Sequence, residues 1–139
     1  MIPGLAVPGC LDWDREISCR CGCLLSVAAS HDPDLFSNLQ QIMFVFLMLR
    51  GAVSHEMGTE TPLTVTSGFR CETYNGTLTN SSPDSWHIRA GAFDIARPLG
   101  LEMGAFHKIG RQFSPGGLGV YYGSDFLHLD IGPRRAWAG

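Results

Sequence analysis

Two predicted strands in the second half of the chain carry ionisable residues inside otherwise apolar runs. The first run is AFDIA at residues 92–96, and the second is FLHLDI at residues 126–131. Short apolar runs bounded by turn residues are typical of strands that a sheet buries. Burying the carboxylate of Asp94 without a partner would cost on the order of several kcal/mol or more. The fold must therefore supply Asp94 with a partner, and a metal ion would remove this cost.

Two histidines are placed to share such a metal ion with Asp94. His87 lies in the loop before the first strand, and His128 lies within the second. If the two strands are neighbours, Asp94 and His128 can face each other across the sheet, and the loop can fold His87 back over them. Two imidazoles and a carboxylate match a catalytic zinc site with one position open for water. We therefore predict that His87, Asp94 and His128 bind Zn²⁺ and that the chain is a hydrolase.

A hydrolytic site also needs a general base close to the water, and two acids flank His128. Asp125 lies three positions before it, in a predicted turn from which a carboxylate can lean over the open side of the metal. Asp130 lies two positions after it, on the same face of the strand. We favour Asp125 as the base. Asp130 stays open as the alternative base or as a residue that supports the ligand His128.

Arg70 is a candidate for binding the substrate. It follows a predicted strand and a glycine. From that position its guanidinium can point into a cleft, where it can hold a substrate carboxylate in a bidentate pair or stabilise an oxyanion.

The remaining periodicity predicts an α+β fold with a small central antiparallel sheet and flanking helices. Asp32 and Pro33 are typical of the N-cap and the first position of a helix. Apolar residues then recur at helical spacing, and we expect the helix to end at Gly51. The second half of this helix is nearly apolar all round, which predicts that it crosses the middle of the fold.

The other predicted elements are shorter. They are a strand over residues 63–67, a long surface loop over 70–84 with a turn at Asn75-Gly76, a helix over 101–113, and a hairpin of strands 118–122 and 126–131. We place the catalytic domain at residues 32–139. Residues 1–31 are predicted to be an irregular, cysteine-containing segment packed on it.

The composition excludes several classes of protein. Only 17% of the 139 residues are charged, and a net charge of −3 offers no broad basic face for nucleic acid. The longest apolar run, residues 42–49, is well short of the about 20 residues that a membrane span needs. The first residues, MIPG, lack the basic start and apolar core of a secretory signal. We therefore expect synthesis in the cytoplasm, export by another route, and no membrane span.

The five cysteines leave an odd count, which argues against a complete disulfide framework. Cys19, Cys21 and Cys23 are spaced more tightly than a zinc-finger knuckle, and they could form a structural thiolate site with Cys71 or Cys10, or one of them a disulfide to Cys71. Reduced, packed thiols are the simpler interpretation.

Three motifs carry a resemblance to a known family and follow one another in the family's order. They are TSGFR at residues 66–70, SWHIRAGAFD at residues 85–94, and GLGVY at 117–121 together with FLHLDIG at 126–132. The chain resembles the D-alanyl-D-alanine carboxypeptidase and L-alanyl-D-glutamate endopeptidase family of zinc peptidases, whose fold is that of the hedgehog signalling domain. The resemblance covers most of the chain, and the cysteine-bearing segment 18–23 also resembles phage members.

By position, the resemblance implies a role for each motif residue. The implied zinc ligands are His87, Asp94 and His128. Asp125 matches the acid that precedes the last histidine by three, which would be the general base. Arg70 matches the arginine of an S-G-[YF]-R motif that contacts the substrate and the transition state, and Ser85 matches a serine that binds the substrate backbone.

The chain departs from the family pattern at two points. The pattern S-x-H-x-x-G-x-A-x-D has glycine where this chain has Ala90, and Gly91 follows instead. Many relatives have no acid at the position of Asp125 and read S-G-F-V-H-x-D-x-G, which keeps Asp130 as the alternative base.

The resemblance implies that the substrate is the peptide stem of bacterial peptidoglycan, so that the protein would act at the bacterial cell wall. A small peptidase of this kind would suit a phage lysin or a virion-associated tail enzyme in contact with other tail proteins. The alternative is a non-catalytic, zinc-stabilised structural or binding module, as in the hedgehog branch, such as a component of a phage tail.

Overall fold

The structure, a computed structural model, describes residues 32–78 and 81–139. Within these residues the elements run in the order α1 (Pro33–Met57), β1 (Val65–Ser67), α2 (Glu72–Thr77), β2 (Ala92–Ala96), α3 (Met103–Phe113), β3 (Gly117–Tyr121), β4 (Phe126–Asp130) and β5 (Arg135–Ala138). The predicted N-terminal segment, with Cys19, Cys21 and Cys23, lies outside the described residues. The α+β class predicted from the sequence is confirmed.

Helix α1 begins where the sequence predicts but ends later. Asp32 is its N-cap, and the Asp32 carboxylate accepts a hydrogen bond from the backbone N–H of Asp34 at 2.9 Å. The predicted end at Gly51 is wrong, because the helix continues to Met57 and is capped by Gly58 at φ 71°. A glycine inside a helix costs only about 1 kcal/mol relative to alanine. Burying Val53 completely, worth about 1.5–3 kcal/mol, offsets that cost.

The same helix packs through one face only. Its buried residues are Leu39, Ile42, Met43, Phe46, Leu49 and Val53. Phe46 meets Phe93 of β2 edge to face, with ring centroids 6.0 Å apart. Phe44 is 66% exposed, and Leu47 and Met48 also face outward, so the prediction that α1 crosses the middle of the fold is wrong. Among the helices of residues 32–78 and 81–139, α1 is also the one long and apolar enough to cross a membrane, by length and composition alone.

The five strands form one mixed sheet in the order β1-β2-β4-β3-β5. The pairs β1/β2, β2/β4 and β3/β4 are antiparallel, as predicted for the central sheet. The last strand, β5, pairs in parallel with β3 and makes the sheet mixed. The predicted bounds of β2 and the predicted hairpin of β3 and β4 agree with the structure to within one residue.

The two faces of the sheet carry different kinds of side chain. Phe93, Ile95, Leu127 and Leu129 alternate along β2 and β4 and belong to the hydrophobic core with α1 and α3. The residues between them, including Asp94 and His128, point to the opposite face, which borders a cleft. The sheet therefore separates the core from the ionisable residues.

The predicted surface loop over residues 70–84 is wrong in part, because it contains α2. The thiol sulfur of Cys71 accepts a hydrogen bond from the backbone N–H of Tyr74 at 3.3 Å and caps the helix. Asn75, predicted as a turn residue, is only 2% exposed. The buried contacts of its side chain, and not its local turn preference, decide the conformation here.

Candidate metal centre

Strand register brings Asp94 and His128 together. The two residues are direct partners across the antiparallel pair of β2 and β4. His87 reaches them from the loop before β2, where its Nδ1 lies 2.8 Å from the backbone carbonyl oxygen of Gly68. One ligand atom from each of His87, Asp94 and His128 lies within 4.8 Å of the others. The three residues predicted to bind a metal therefore form one cluster.

Hydrogen bonds on the outer side of each imidazole fix which nitrogen faces inward. A carbonyl oxygen can only accept, so Nδ1 of His87 donates to Gly68 and Nε2 is left with its lone pair, 3.2 Å from Oδ1 of Asp94. Nε2 of His128 donates to Oδ2 of Asp130 at 2.7 Å, which leaves the lone pair of Nδ1 2.9 Å from the same Oδ1 of Asp94. Three acceptors thus converge on one point, an arrangement that suits a cation and is repulsive without one or a proton.

The electrostatics of the cluster keep its acid charged and one imidazole neutral. Burial would raise the pKa of Asp94, but the charges and hydrogen bonds of His87 and His128 outweigh burial and hold that pKa well below its usual range. Burial lowers the pKa of His87 below its ordinary value. An ionised carboxylate and a neutral imidazole are the protonation states in which these groups bind a metal.

The pKa of His128 shifts upward, in the direction opposite to that of His87. Burial alone would lower its pKa, but hydrogen bonds to Asp130 and Asp94 outweigh burial and raise it. A proton on Nδ1 and a metal ion would compete for the same lone pair. Metal binding at this centre must therefore displace a proton from His128 whenever that ring is charged.

Arg70 contacts Oδ2 of Asp94, the carboxylate oxygen that does not face the two histidines. Its Nη2 lies 3.3 Å from Oδ2 of Asp94, its Nε donates to Oγ of Ser67 at 3.0 Å, and its Nη1 donates to Oδ1 of Asn75 at 3.2 Å. These contacts hold Oδ2 of Asp94 against the guanidinium and leave Oδ1 toward the two histidines. Arg70 also lines the cleft, so the same cation can face a substrate.

The cleft beside the cluster has a volume of about 740 Å³. Its lining includes residues of the loop that precedes β2 and the aromatic side chains of Tyr121, Phe126 and Trp137. Ser85, predicted to bind substrate, is one of the lining residues of that loop, and its Oγ accepts a hydrogen bond from the backbone N–H of His87 at 3.2 Å.

The two acids considered as general base occupy different places. The Asp125 carboxylate forms an ion pair with Nε of Arg97 at 3.3 Å and is 55% exposed. Asp125 does not line the cleft, although its neighbours Ser124 and Phe126 do. Asp130 is fully buried behind His128. The structure therefore brings Asp130, but not Asp125, into contact with a predicted ligand.

The oxygens of Asp130 are fully engaged. Oδ1 accepts from the backbone N–H groups of Gly117 and Gly132 at 3.0 and 2.9 Å, and both oxygens accept from Arg135. Burial would raise the pKa of Asp130, but the hydrogen bonds from His128 and Arg135 outweigh it and hold the pKa well below its usual range. A carboxylate held in this way suits the support of a ligand better than proton transfer.

Several residues of the site were missed by the sequence analysis. Asn75 lies inside a pattern that favours a turn, so only tertiary structure shows that it holds Arg70. Arg135 and Trp137 belong to the edge strand β5 and also line the cleft. The spacing of Trp137, two residues after Arg135 on a strand, could have placed both on one face.

The predicted thiolate site is only partly within the described residues. Cys71 is buried, and its thiol caps α2. Because the other cysteines lie outside the described residues, the thiolate site stays a prediction.

Comparison with known proteins adds to this geometry. The chain matches, over residues 27–137, the family described as peptidoglycan L,D-endopeptidase MepK. Peptidoglycan L,D-endopeptidase MepK of Escherichia coli strain K12 is 30% identical over 112 residues, which are 78% of this chain and 55% of that protein. The probable peptidoglycan L,D-endopeptidase MepK of Haemophilus influenzae is also 30% identical, over 78% of this chain and 54% of its own length. The chain spans about half the length of the curated relatives it matches.

Proposed function

The chain belongs to the family of peptidoglycan L,D-endopeptidase MepK, and on this premise we propose that it is a zinc-dependent peptidase acting on the peptide stems of bacterial peptidoglycan. The observation that carries this proposal is the convergence of Nε2 of His87, Oδ1 of Asp94 and Nδ1 of His128. These three atoms would hold the zinc ion. Bound zinc would supply a water whose pKa is lowered to about 7, and it would polarise the carbonyl of the amide to be cleaved.

Other residues that line the cleft bind and orient the substrate. The guanidinium of Arg70 faces the cleft beside Asp94, where it stabilises negative charge that develops on a substrate oxygen. Ser85 offers a hydroxyl at the cleft for the peptide backbone of the substrate. Tyr121, Phe126 and Trp137 provide an apolar surface that excludes water from one side of the peptide.

We retain Asp125 as the proposed general base. The turn that carries it lies between two residues that line the cleft. Its ion pair with Arg97 is half-exposed, and exposed ion pairs contribute only about 0–1 kcal/mol to folding stability. Rotating the Asp125 side chain away from Arg97 and toward the metal centre therefore costs little. In that orientation it would take a proton from the water and pass it to the leaving amine.

We propose from the relatives whether cleavage is internal or terminal in the peptide. These relatives are named as L,D-endopeptidases, which favours cleavage within the peptide over removal of a terminal residue. A carboxypeptidase would release single amino acids, and an endopeptidase would release larger fragments, so the products distinguish the two.

The direct test is hydrolysis of purified peptidoglycan sacculi by the zinc-loaded chain, with released fragments identified by mass spectrometry. We expect soluble stem-peptide fragments from the zinc-loaded protein and none after chelation. His107→Ala is a matched control, because His107 lies on α3 and contacts Tyr122 outside the metal cluster. Absence of fragments from several murein types, with zinc bound, would overturn the proposal.

One observation favours a second candidate. Neither Asp125 nor Asp130 is placed as a base in the structure, because one is paired with Arg97 and the other is fully hydrogen-bonded behind His128. A non-catalytic, zinc-stabilised binding module would have this arrangement. It predicts zinc-dependent binding of sacculi without release of fragments, which sedimentation with sacculi would detect.

The biological setting is also proposed. A phage lysin or a tail enzyme would act at the bacterial cell wall from a virion or from an infected host. Lysis of cells on expression together with a membrane-permeabilising protein supports the lysin, and co-purification with virions supports the tail enzyme.

A further inference from the structure

The buried carboxylate of Asp130 is held by a guanidinium from the edge strand β5. Nη2 of Arg135 donates to Oδ2 of Asp130 at 2.8 Å, and Nη1 donates to Oδ1 at 3.0 Å. Two parallel hydrogen bonds of this kind fix the plane of a carboxylate as well as its position. Asp130 has no exposed surface, so this pair is largely removed from solvent on the acid's side.

The oxygen that Arg135 fixes is the one that holds the predicted ligand. Oδ2 of Asp130 accepts from Nη2 of Arg135 and also from Nε2 of His128, the latter at 2.7 Å. The imidazole of His128 can turn about its χ2 angle, and this hydrogen bond sets the turn. The orientation of Nδ1 toward Asp94 therefore depends, through Asp130, on Arg135.

Strand β3 leaves room for this arrangement by having glycine at two positions. A Cβ atom on Gly117 would lie 2.5 Å from Oδ2 of Asp130 and 2.6 Å from Nη1 of Arg135. A Cβ atom on Gly119 would lie 2.6 Å from the indole of Trp137. Any side chain at either position would displace the groups that surround His128.

Trp137 restrains His128 from a second direction. Its ring centroid lies 5.2 Å from that of His128, and the guanidinium carbon of Arg135 lies 5.2 Å from the Trp137 ring. Its indole N–H donates to the hydroxyl of Tyr121 at 2.8 Å, which fixes the ring against β3. Two residues of β5 thus contact His128 or the acid that supports it.

We propose that Arg135 is a positioning residue of the metal centre, which acts through Asp130 to hold Nδ1 of His128 toward the metal. This inference rests on the proposed function for the presence of zinc at the centre. Residues that hold a metal-bound histidine typically change metal affinity by about 10–100-fold when they are replaced. Arg135 acts on His128 only through Asp130, so we expect its replacement to change metal affinity by about tenfold, the lower end of that range.

The test is the zinc affinity of the full chain, measured by competition with a chromophoric chelator. Arg135→Met should weaken zinc binding about tenfold, and Arg135→Lys, which keeps the charge but not the two parallel bonds, should fall between Arg135→Met and wild type. Arg134→Met is the matched control, because Arg134 is the exposed neighbour in the chain, and it should bind zinc as wild type does. Circular dichroism of each metal-free variant checks that the fold is retained; if Arg135→Met does not fold, Arg135→Lys carries the test.

A double-mutant cycle separates action through Asp130 from a general loss of structure. In an Asp130→Asn background, Arg135→Met should cause little further loss of zinc affinity, because the residue through which Arg135 acts is already changed. Wild-type affinity in both folded Arg135 variants, or full additivity of the two substitutions, would overturn the inference. Absence of zinc binding by the wild-type chain would instead overturn the proposed function, so the two failures are distinguishable.

Discussion

Asp94 and His128 are direct partners in the antiparallel register of β2 and β4, and Oδ1 of Asp94 lies 2.9 Å from Nδ1 of His128. Side chains of directly opposed residues share one face of the sheet. A shift of the register by one residue would turn His128 into the core and separate the pair. The cluster proposed as a metal centre is therefore a consequence of the strand pairing, and the loop that carries His87 completes it.

Zinc affinity should fall as the pH falls. The raised pKa of His128 means that the folded, metal-free protein holds a proton on this ring to a higher pH than the unfolded chain does. Below that pKa zinc must displace the proton, and affinity should fall about tenfold per pH unit for each proton displaced. Competition titrations between pH 5.5 and 8 would measure the slope, and a flat profile would contradict the proposed ligand atom.

In the metal-free protein, the contribution of His128 to folding stability changes with pH in the direction opposite to that of zinc affinity. A raised folded-state pKa stabilises the fold at low pH, and this contribution is lost as the pH rises through the folded value. Zinc should therefore stabilise the protein more at pH 7.5 than at pH 6. Unfolding by urea with and without zinc at the two pH values would show the difference.

Asp125→Ala should reduce hydrolysis by about 10²–10⁴-fold, the usual contribution of a general base, while zinc stays bound. Asp84→Asn is the matched control, because Asp84 is an exposed acid that lines the cleft on the loop before His87. Rates of fragment release from sacculi, with zinc content measured in parallel, test the assignment. Undiminished hydrolysis by Asp125→Ala, with loss in Asp84→Asn, would move the base to Asp84.

Arg70→Met should lower kcat/KM by about 10²-fold, because it removes a cation that faces both the substrate and Asp94. Arg89→Met removes an arginine that stacks over the Trp86 ring at 4.8 Å, and it should leave the rate close to wild type. Equal effects of the two substitutions on kcat/KM would indicate that charge near the cleft matters in general and that Arg70 has no particular role.

Asn75→Ala should lower the free energy of unfolding by about 1–3 kcal/mol, since it leaves buried groups without their hydrogen bonds. Its amide donates to the carbonyl of Ser82 at 2.7 Å and its oxygen accepts from Arg70. Asn38→Ala, which removes a more exposed hydrogen bond to the carbonyl of Arg89, is the control and should cost less. Urea unfolding of the metal-free proteins measures both, and equal costs would contradict the structural role of Asn75.

Two leucines on α1 test which of its faces packs. Leu49 is fully buried, and Leu49→Ala should cost about 2–5 kcal/mol. Leu47 is 42% exposed, and Leu47→Ala should change the free energy of unfolding by no more than about 0.5 kcal/mol. A comparable cost at Leu47 would mean that this face of α1 is covered in solution.

The elements best predicted from the sequence are those whose signal is local. β2 and the hairpin of β3 and β4 are short apolar runs that end at turn residues, and the N-cap of α1 is an Asp-Pro pair. The predicted face-to-face placement of Asp94 and His128 followed from strand alternation and needed only that the two strands be neighbours. The strands and the helix start depend on residues close together in the chain, whereas the pairing of Asp94 with His128 joins residues 34 positions apart.

The features that were missed depend on distant contacts. Gly51 lies inside α1 because Val53, two residues further on, is completely buried by the rest of the fold, and Met57 packs partly buried against the core. Asn75 lies in a helix because its side chain is satisfied by Arg70 and Ser82. The parallel pairing of β5 with β3, which brings Arg135 to Asp130, has no signal in the local pattern. The assignment of the base also depends on tertiary structure, because it needs the direction in which the Asp125 side chain points.

The zinc content of the purified chain and of its Asp94→Ala and His128→Ala variants, measured by atomic spectroscopy after dialysis, tests the metal site most directly. We expect each variant to bind one zinc ion fewer per chain than the wild type, whether or not the cysteines bind a further ion. Equal zinc content in the wild type and both variants would contradict the assignment of His87, Asp94 and His128 as a metal centre.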